Sequence, residues 1–584
     1  MANIKLAAID IAMLVGYFVL VLFVGFWLRK RASKNLEEYF LGGKTLPWWA
    51  LGISSAAGSF DISGTMWVVS LFYIFGMKTW WILSSFAFFI GAFLMSYMGR
   101  WLRRTNVMTA AELLKARFGH DKGGVFARTI YASIAVIFLI FMVAIAFKGT
   151  GKFAATFLPF TPTQCALGLF IITTTYVVVG GFTSVVFTDV MQGVILAISS
   201  IIVGVIAFTS VDTEILHANF ATSLIPEWRM PELVGTMHEG YEMFGILSIV
   251  WLMSGILMAT GAAGGGGFAE QRYFASPNST HASKTGFGHA FFYVFRYIMI
   301  ASITFLAISG LVSLDDPERI LPTILRDILP MGIRGFVIAG FVAAFMSTFS
   351  TIVNVGASMI VRDLIQPFSP KTSQKTLVLY SYFASIGIVL IGIIIGFNAE
   401  SINQIWAWLI VGLNGSYLIP NILRWFWWRL NAWGYAIGAL SGMLLSLIVV
   451  IRPETPIYIY APAINIVTLI GCVAGSLLTK STDKNILLEF YRNVKPKGFW
   501  KPIRIASGLT NEELNKNLDK TSIILTNVVV GSIAILVFYL TFMFLIGHWY
   551  LYSLISLIIA VVAFRILYST WYKKLVFEQL EENN

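Results

Sequence analysis

Apolar runs of about 20 residues or more recur along the whole chain, separated by short polar stretches. Each is long enough to cross a ~30 Å hydrocarbon core as a helix, the form in which a segment satisfies its own backbone hydrogen bonds. The pattern predicts about fifteen spans, near 7–28, 47–76, 79–99, 124–148, 162–180, 182–209, 243–265, 287–312, 332–361, 376–397, 402–423, 432–452, 458–479, 522–547 and 549–572. Two of these look interrupted. The second reads LGISSAAGSFDISGTMW, crowded with Gly, Ser and Ala and carrying Asp61, and the seventh ends in GAAGGGGFAEQR. Such residues weaken a helix, and broken backbone is tolerated at membrane depth only where it lines a site. Spans 2 and 7 lie five apart and cross in opposite directions. Spans 2–6 and 7–11 are therefore expected to be inverted repeats whose first helices are both discontinuous. Tight packing through small residues is the plainer alternative.

The expected organisation is a first span and loop (1–46), a ten-helix core (47–430, with repeats 47–209 and 243–430), and four accessory spans (431–584). A polar loop at 480–520 interrupts the last part.

Composition agrees with this reading. Of 584 residues 57% are hydrophobic and only 12% charged, and the mean hydropathy is +0.78. A soluble surface needs more charge, so the class is an all-α polytopic membrane protein. The net charge of +12 does not point to nucleic acid, because the basic residues cluster in short loops, where they act as topology signals. Arg29, Lys30, Arg31, Lys34 and Lys44 follow span 1, and Arg100, Arg103, Arg104, Lys115, Arg117, Lys122 and Arg128 follow span 3. The 212–242 loop is the reverse, with Arg229 alone against Asp212, Glu214, Glu227, Glu232, Glu239 and Glu242. The 480–520 loop carries nine Lys or Arg against five acids. The N-terminus is thus expected outside and the C-terminus in the cytoplasm, in a multi-pass protein of a plasma (bacterial inner) membrane. The first apolar run ends in RKR and reads as a retained span. Cys165 and Cys472 both fall in apolar runs, so no disulfide framework is readable. The aromatic and basic run LRWFWWRLN (423–431) is expected to anchor at the headgroups.

Candidate chemistry begins with FTDVMQG (187–193), which places Asp189 inside an apolar run. An aspartate at membrane depth costs roughly 3 kcal/mol on insertion scales. Span 9 contains AAFMSTFSTIVN, in which Ser347, Ser350 and Thr351 share one helix face and Thr348 points to a neighbouring one. Each hydroxyl alone can bond its own helix. Four within five residues suggest a ligand set instead. Sodium, like other hard cations, takes several oxygens, and one carboxylate offsets its charge.

At this point the chain resembles the sodium:solute symporters, through YFLGGKTLPWWALG before the span 2 break, GGFTSVVFTDVMQG entering span 6, AAFMSTFS in span 9 and QRYFASPNSTHASK after the glycine run. The resemblance covers about residues 7–430. It implies a LeuT-type inverted five-helix repeat with extra flanking helices, related to sodium/glucose and sodium/proline symporters. It implies a first sodium held by the carbonyls of Ala57, Phe60 and Ala344 and the hydroxyls of Ser347 and Thr348. A second sodium, found in some members, would take Asp189, Ser347, Ser350 and Thr351. Two sodium ions per solute are therefore expected, as coupling ions and not as a cofactor.

The resemblance also places a solute pocket beside the helix breaks, with candidates Ser59, Asp61, Gly266, Phe268, Arg296, Gln404 and Trp406. The residues of the sugar carriers are not reproduced. Ser59 stands at the break, span 3 has no charge between Thr79 and Gly99, and Gly266 and Phe268 precede Gln271–Arg272. FDISG (60–64) is closer to the amino-acid branch, though offset by two residues. For Asp61 a sodium contact, a substrate amine contact and neither remain open. For Arg296 a substrate carboxylate, an inner gate and snorkelling remain open.

The leading expectation is a sodium-coupled secondary active symporter that imports a small organic solute by alternating access. A solute sensor or channel-like protein on the same fold is the alternative. No His-Glu-x-x-His or Gly-x-Ser-x-Gly motif occurs, and the six histidines lie mostly in loops or at span ends, so an enzyme is not expected.

Overall fold

The structure is a computed structural model. It describes residues 6–583 apart from 33–35, 85–87, 234–240, 262–269, 312–316, 399–408, 410–413, 449–451 and 453–454. Its principal helices are α1 (Ala8–Ala32), α2 (Trp48–Ala57), α3 (Ile62–Phe75), α4 (Lys122–Ala154), α5 (Pro162–Ser210), α6 (Phe244–Thr260), α7 (Gln271–Phe274), α8 (Ser279–Phe292), α9 (Val294–Leu306) and α10 (Ile333–Met359). They continue as α11 (Gln374–Asn398), α12 (Asn414–Phe426), α13 (Ala432–Ser446), α14 (Ile457–Leu478), α15 (Lys484–Val494), α16 (Thr521–Ile546) and α17 (Tyr550–Leu567). No β-strand occurs among the described residues.

α10 is the centre. Every residue from Val337 to Met359 is buried, the hydroxyls between Ser347 and Thr351 included. α5 lies along it and also packs on α1, α2, α4 and α9. α2 packs closely on α8, where Gly52 and Gly288 meet: a Cβ at Gly52 would stand 3.0 Å from the Gly288 backbone. α13 pairs with α14 and α16 with α17, so the accessory spans form antiparallel hairpins against the core.

The expected count of fifteen separate spans is not confirmed. Among the described residues nine helices are long and apolar enough to cross a membrane, and three shorter apolar ones accompany them. Predicted spans 5 and 6 run on as one helix, α5. Gly181 alone stands between them, after Gly180 at the end of span 5, and two glycines weaken a helix by about 1 kcal/mol each without ending it. Most of predicted span 11 lies outside the described residues.

The first span is tied to the core by a cap. Asp10 Oδ1 accepts the backbone N–H groups of Gly332 (2.8 Å) and Gly335 (2.9 Å), and Oδ2 accepts Arg334 Nη2 at 2.7 Å. An anion at a helix N-terminus meets both its unpaired donors and its dipole.

The 423–431 run is only partly available to headgroups: Phe426 to Arg429 are half-exposed, and much of the rest turns inward. Arg424 and Trp425 are closed to solvent, and Trp425 packs against Trp101 and Phe490. Arg117, equally closed to solvent, donates to the carbonyls of Arg424 (2.9 Å), Trp427 (3.1 Å), Trp428 (3.1 Å) and Leu430 (3.3 Å). Its guanidinium stacks over Phe118, Phe490 and Trp500. The run's backbone carbonyls thus hold a buried cation that Phe118 and the Phe490 and Trp500 rings of the 480–520 segment cover. The same segment is pinned by charge: Arg104 grips Asp519 at 3.0 and 2.9 Å, and Arg100 reaches Glu578 at 2.8 Å. Burial pushes the Asp519 carboxyl up, but the Arg100 and Arg104 guanidiniums outweigh it and hold the group down at about 2.

Candidate functional site

α2 stops at Ala57 and α3 starts at Ile62, so the chain is non-helical for four residues between two buried helix ends. Gly58 lacks a side chain, and a Cβ there would stand 3.3 Å from Thr351 Oγ1 and 3.4 Å from Arg272 Nη2. Asp61 caps α3, its carboxylate accepting the Gly64 N–H at 2.6 Å. The break closes on itself by tight turns, with Ser59 N donating to Ala56 O (3.1 Å) and Phe60 N to Ala57 O (3.0 Å).

α8 and α9 hold this break from the other side. Arg296 Nη1 and the Tyr293 hydroxyl both donate to the Ser59 carbonyl, at 2.7 and 3.1 Å. Arg296 Nη2 lies 3.4 Å from Asp61 Oδ1, and its guanidinium sits over the Phe60 ring. A cation at the C-terminal end of α2 and an anion at the N-terminal end of α3 each match the helix dipole beside them. Arg296 is buried and does not snorkel. His289 Nδ1, 3.0 Å from Ser55 Oγ, ties α8 to α2 one turn earlier.

The span 9 hydroxyls fall on two sides of α10. Thr348 Oγ1 is buried with no hydrogen-bond partner among the described residues. It faces a small cavity that Asp61, Ile62 and Ser63 line from the break side. Ser347 Oγ turns the other way and donates to Asp189 Oδ1 at 2.6 Å. Ser350 and Thr351 both bond back to the Ser347 carbonyl, at 2.9 Å each. Ala57, Phe60 and Ala344 are all buried here. Of the residues assigned to sodium, Asp189, Ser347 and Thr351 come together around one carboxylate, while Thr348 faces the break.

Asp189 is closed to solvent on α5, and the cation beside it is Arg272. Arg272 Nη2 stands 3.0 Å from Asp189 Oδ2 and 2.7 Å from Thr351 Oγ1. Ser54 Oγ donates to the same Asp189 oxygen at 2.5 Å and accepts Arg272 Nε at 3.1 Å. Sequence reasoning assigned no role to Arg272, Ser54, Tyr293 or His289. The QR that opens QRYFASPNSTHASK was the available signal for the first of these.

Of the solute candidates, Ser59, Asp61 and Arg296 converge at the break. Gly266, Phe268, Gln404 and Trp406 lie outside the described residues. Where the chain resumes after the glycine run, Glu270 faces Arg424 at 3.6 Å, both closed to solvent.

Comparison with known proteins gives a consistent result. A model of the sodium:solute symporter family matches residues 39–446. Sodium/glucose cotransporter 4 of Danio rerio is 26% identical over 501 residues, covering 76% of this chain and 72% of its own. Human sodium/myo-inositol cotransporter 2 is 25% identical over 487 residues, covering 75% of this chain and 69% of its own. Among solved structures, a substrate-bound, outward-open Na+-coupled sialic acid symporter superposes with a TM-score of 0.66 at 20% identity, covering 82% of this chain and 99% of that one.

Proposed function

The chain belongs to the sodium:solute symporter family, and on that premise we propose that it imports a small organic solute by alternating access, driven by two sodium ions. Sodium-coupled symport follows from the family. The seats of the ions, the direction and the solute are our reading.

The observation that carries it is the buried Thr348 hydroxyl, which faces the α2–α3 break without a hydrogen-bond partner among the described residues. A buried hydroxyl without a partner costs about 1–3 kcal/mol, which a sodium ion would offset. The first ion would sit there, held by the Thr348 hydroxyl and the carbonyls of Ala57, Phe60 and Ala344, with the Ser347 hydroxyl joining once it turns from Asp189. The second takes Asp189, Ser347, Ser350 and Thr351. The solute lies beside the break, with Ser59, Asp61 and Arg296 as its nearest polar groups and Gly266, Phe268, Gln404 and Trp406 completing the pocket.

The charge pattern favours an N-terminus outside and a C-terminus in the cytoplasm of a plasma membrane, bacterial inner membrane included. The solute need not be a sugar although the relatives above are named for glucose and myo-inositol. The break carries an Asp and an Arg together, which suits a solute with both donor and acceptor groups.

The test is uptake into proteoliposomes across sugars, amino acids and carboxylates, with an inward gradient of sodium or of potassium. A solute accumulated only with sodium is expected. Failure of every class, with sodium binding intact, would favour a sensor on the same fold.

A further inference from the structure

The second sodium seat and the Arg272 guanidinium claim the same atoms. Asp189 Oδ2 and Thr351 Oγ1, two of the oxygens assigned to that ion, both accept Arg272 Nη2. Ser54 Oγ bridges the pair, and Gly58 leaves the room in which the guanidinium lies. Asp189 is the one carboxylate among these groups. Two full cations on one buried carboxylate would leave an uncompensated positive charge in a low-dielectric site, which is strongly unfavourable.

We propose that Arg272 is a tethered cation that exchanges with sodium at Asp189: the carboxylate holds either the guanidinium or the ion. The proposal rests on the second sodium seat described above. Its consequence is mechanical. Arg272 belongs to α7, the segment where the chain resumes after the glycine run of the second repeat. Gln271 fixes the same segment to the Phe40 carbonyl at 2.9 Å. An ion arriving at Asp189 removes the bonds that tie α7 to α2, α5 and α10 together. Occupancy on α5 is thereby read out at α7, in the other expected repeat, and movement of one repeat against the other is what alternating access requires. A ligand shifts such an equilibrium only through differential binding to its two states. Exclusion of Arg272 supplies that difference.

The experiment is sodium binding to the purified, solute-free protein by titration calorimetry, with choline chloride holding ionic strength constant. Arg272→Gln removes the competitor, so the weaker of two binding events should tighten at least tenfold while the other stays within twofold. Arg272→Lys, which keeps the charge, should retain the competition, and Asp189→Asn should delete the event. Wild-type protein showing one event and Arg272→Gln showing two would also support the exchange. Two events with unchanged affinities in Arg272→Gln would overturn the exchange and leave the sodium seats standing. No event at Asp189 in either protein would overturn the second seat itself. Should Arg272→Gln fail to fold, Ser276→Cys in the otherwise wild-type chain reports on α7. Ser276 is closed to solvent, and its labelling should accelerate several-fold in sodium over choline, with Asp189→Asn removing the response. Equal rates in both salts would sink the proposal.

Discussion

Arg272 Nη2 and Asp189 Oδ2 lie 3.0 Å apart with both side chains closed to solvent, 83 residues apart in sequence. Removing one partner of such a pair leaves a buried charge alone and typically costs about 3–5 kcal/mol, whereas removing both costs much less. Asp189→Asn should therefore lower thermal stability more than the double variant Asp189→Asn/Arg272→Gln. Melting curves of the two proteins in choline chloride check this. A double variant at least as unstable as the single one would mean the pair is not coupled.

Thr348 and Ser358 provide a matched comparison on one helix. Ser358 Oγ bonds back to the Val355 carbonyl at 2.7 Å, whereas the Thr348 hydroxyl is unpartnered toward the break. A bond to a charged group contributes about 1.5–3 kcal/mol. Thr348→Ala should thus raise the sodium concentration for half-maximal uptake tenfold or more, and Ser358→Ala should change it less than twofold. Equal sodium titrations for the two variants would remove Thr348 from the first seat.

Stoichiometry follows from the number of seats. At 100 mV and a tenfold gradient each sodium supplies on the order of 3.7 kcal/mol. One ion would concentrate a neutral solute several-hundred-fold and two about 10⁵-fold. Charge-to-flux measurements should give two sodium ions per solute, and one in Asp189→Asn/Arg272→Gln. A ratio of one in the wild-type protein would exclude Asp189 as a coupling ligand.

Sidedness can be measured without a solute. Cys165 and Cys472 are both buried, so an introduced cysteine reports alone. Ile225→Cys, at a position 78% exposed, should react with an impermeant reagent in intact cells. Asn511→Cys, in the basic 480–520 segment, should react only after permeabilisation. Labelling of both from one side would contradict the charge pattern.

Asp519 makes the stability depend on acid. Its carboxyl is held at about 2 against an ordinary 3.8. A depressed folded-state value contributes stability that is fully present above about pH 4 and is lost as pH falls through about 2; the contribution is on the order of 2 kcal/mol. Asp519→Asn should be less stable than wild type at pH 7, and the gap should close as pH drops from about 4 to about 2. A gap that stays constant over that range would assign the loss to packing instead of charge.

Much of the fold was legible because membrane burial writes itself as long apolar runs, and the family motifs add the break at span 2. Asp189 stood out as a carboxylate in such a run. Its partner did not, because Arg272 follows a glycine run at a span end, where a basic residue reads equally well as a topology signal. The buried part of the 423–431 run was hidden for a similar physical reason. Aromatic and basic residues suit a headgroup region as readily as they suit a cation-lined core, and only the partners Arg117, Phe490 and Trp500 decide between them. The continuity of α5 through Gly180 and Gly181 was equally hidden, since paired glycines permit a break without requiring one.

The stacking of Arg117 between early and late parts of the chain also bears on biogenesis. Arg117 is translated long before Phe490 and Trp500, and Arg100 is 478 residues ahead of its partner Glu578. At 5–20 residues per second the ribosome needs roughly half a minute to a minute and a half to cover that gap. Arg117 meets its carbonyl partners at 424–430 earlier, but the rings over it and the acid on Arg100 come only with the last part of the chain. A nascent chain released before Trp500 would carry its transport core with that side still unassembled, which makes the last eighty-odd residues a checkpoint on completion as much as an appendage.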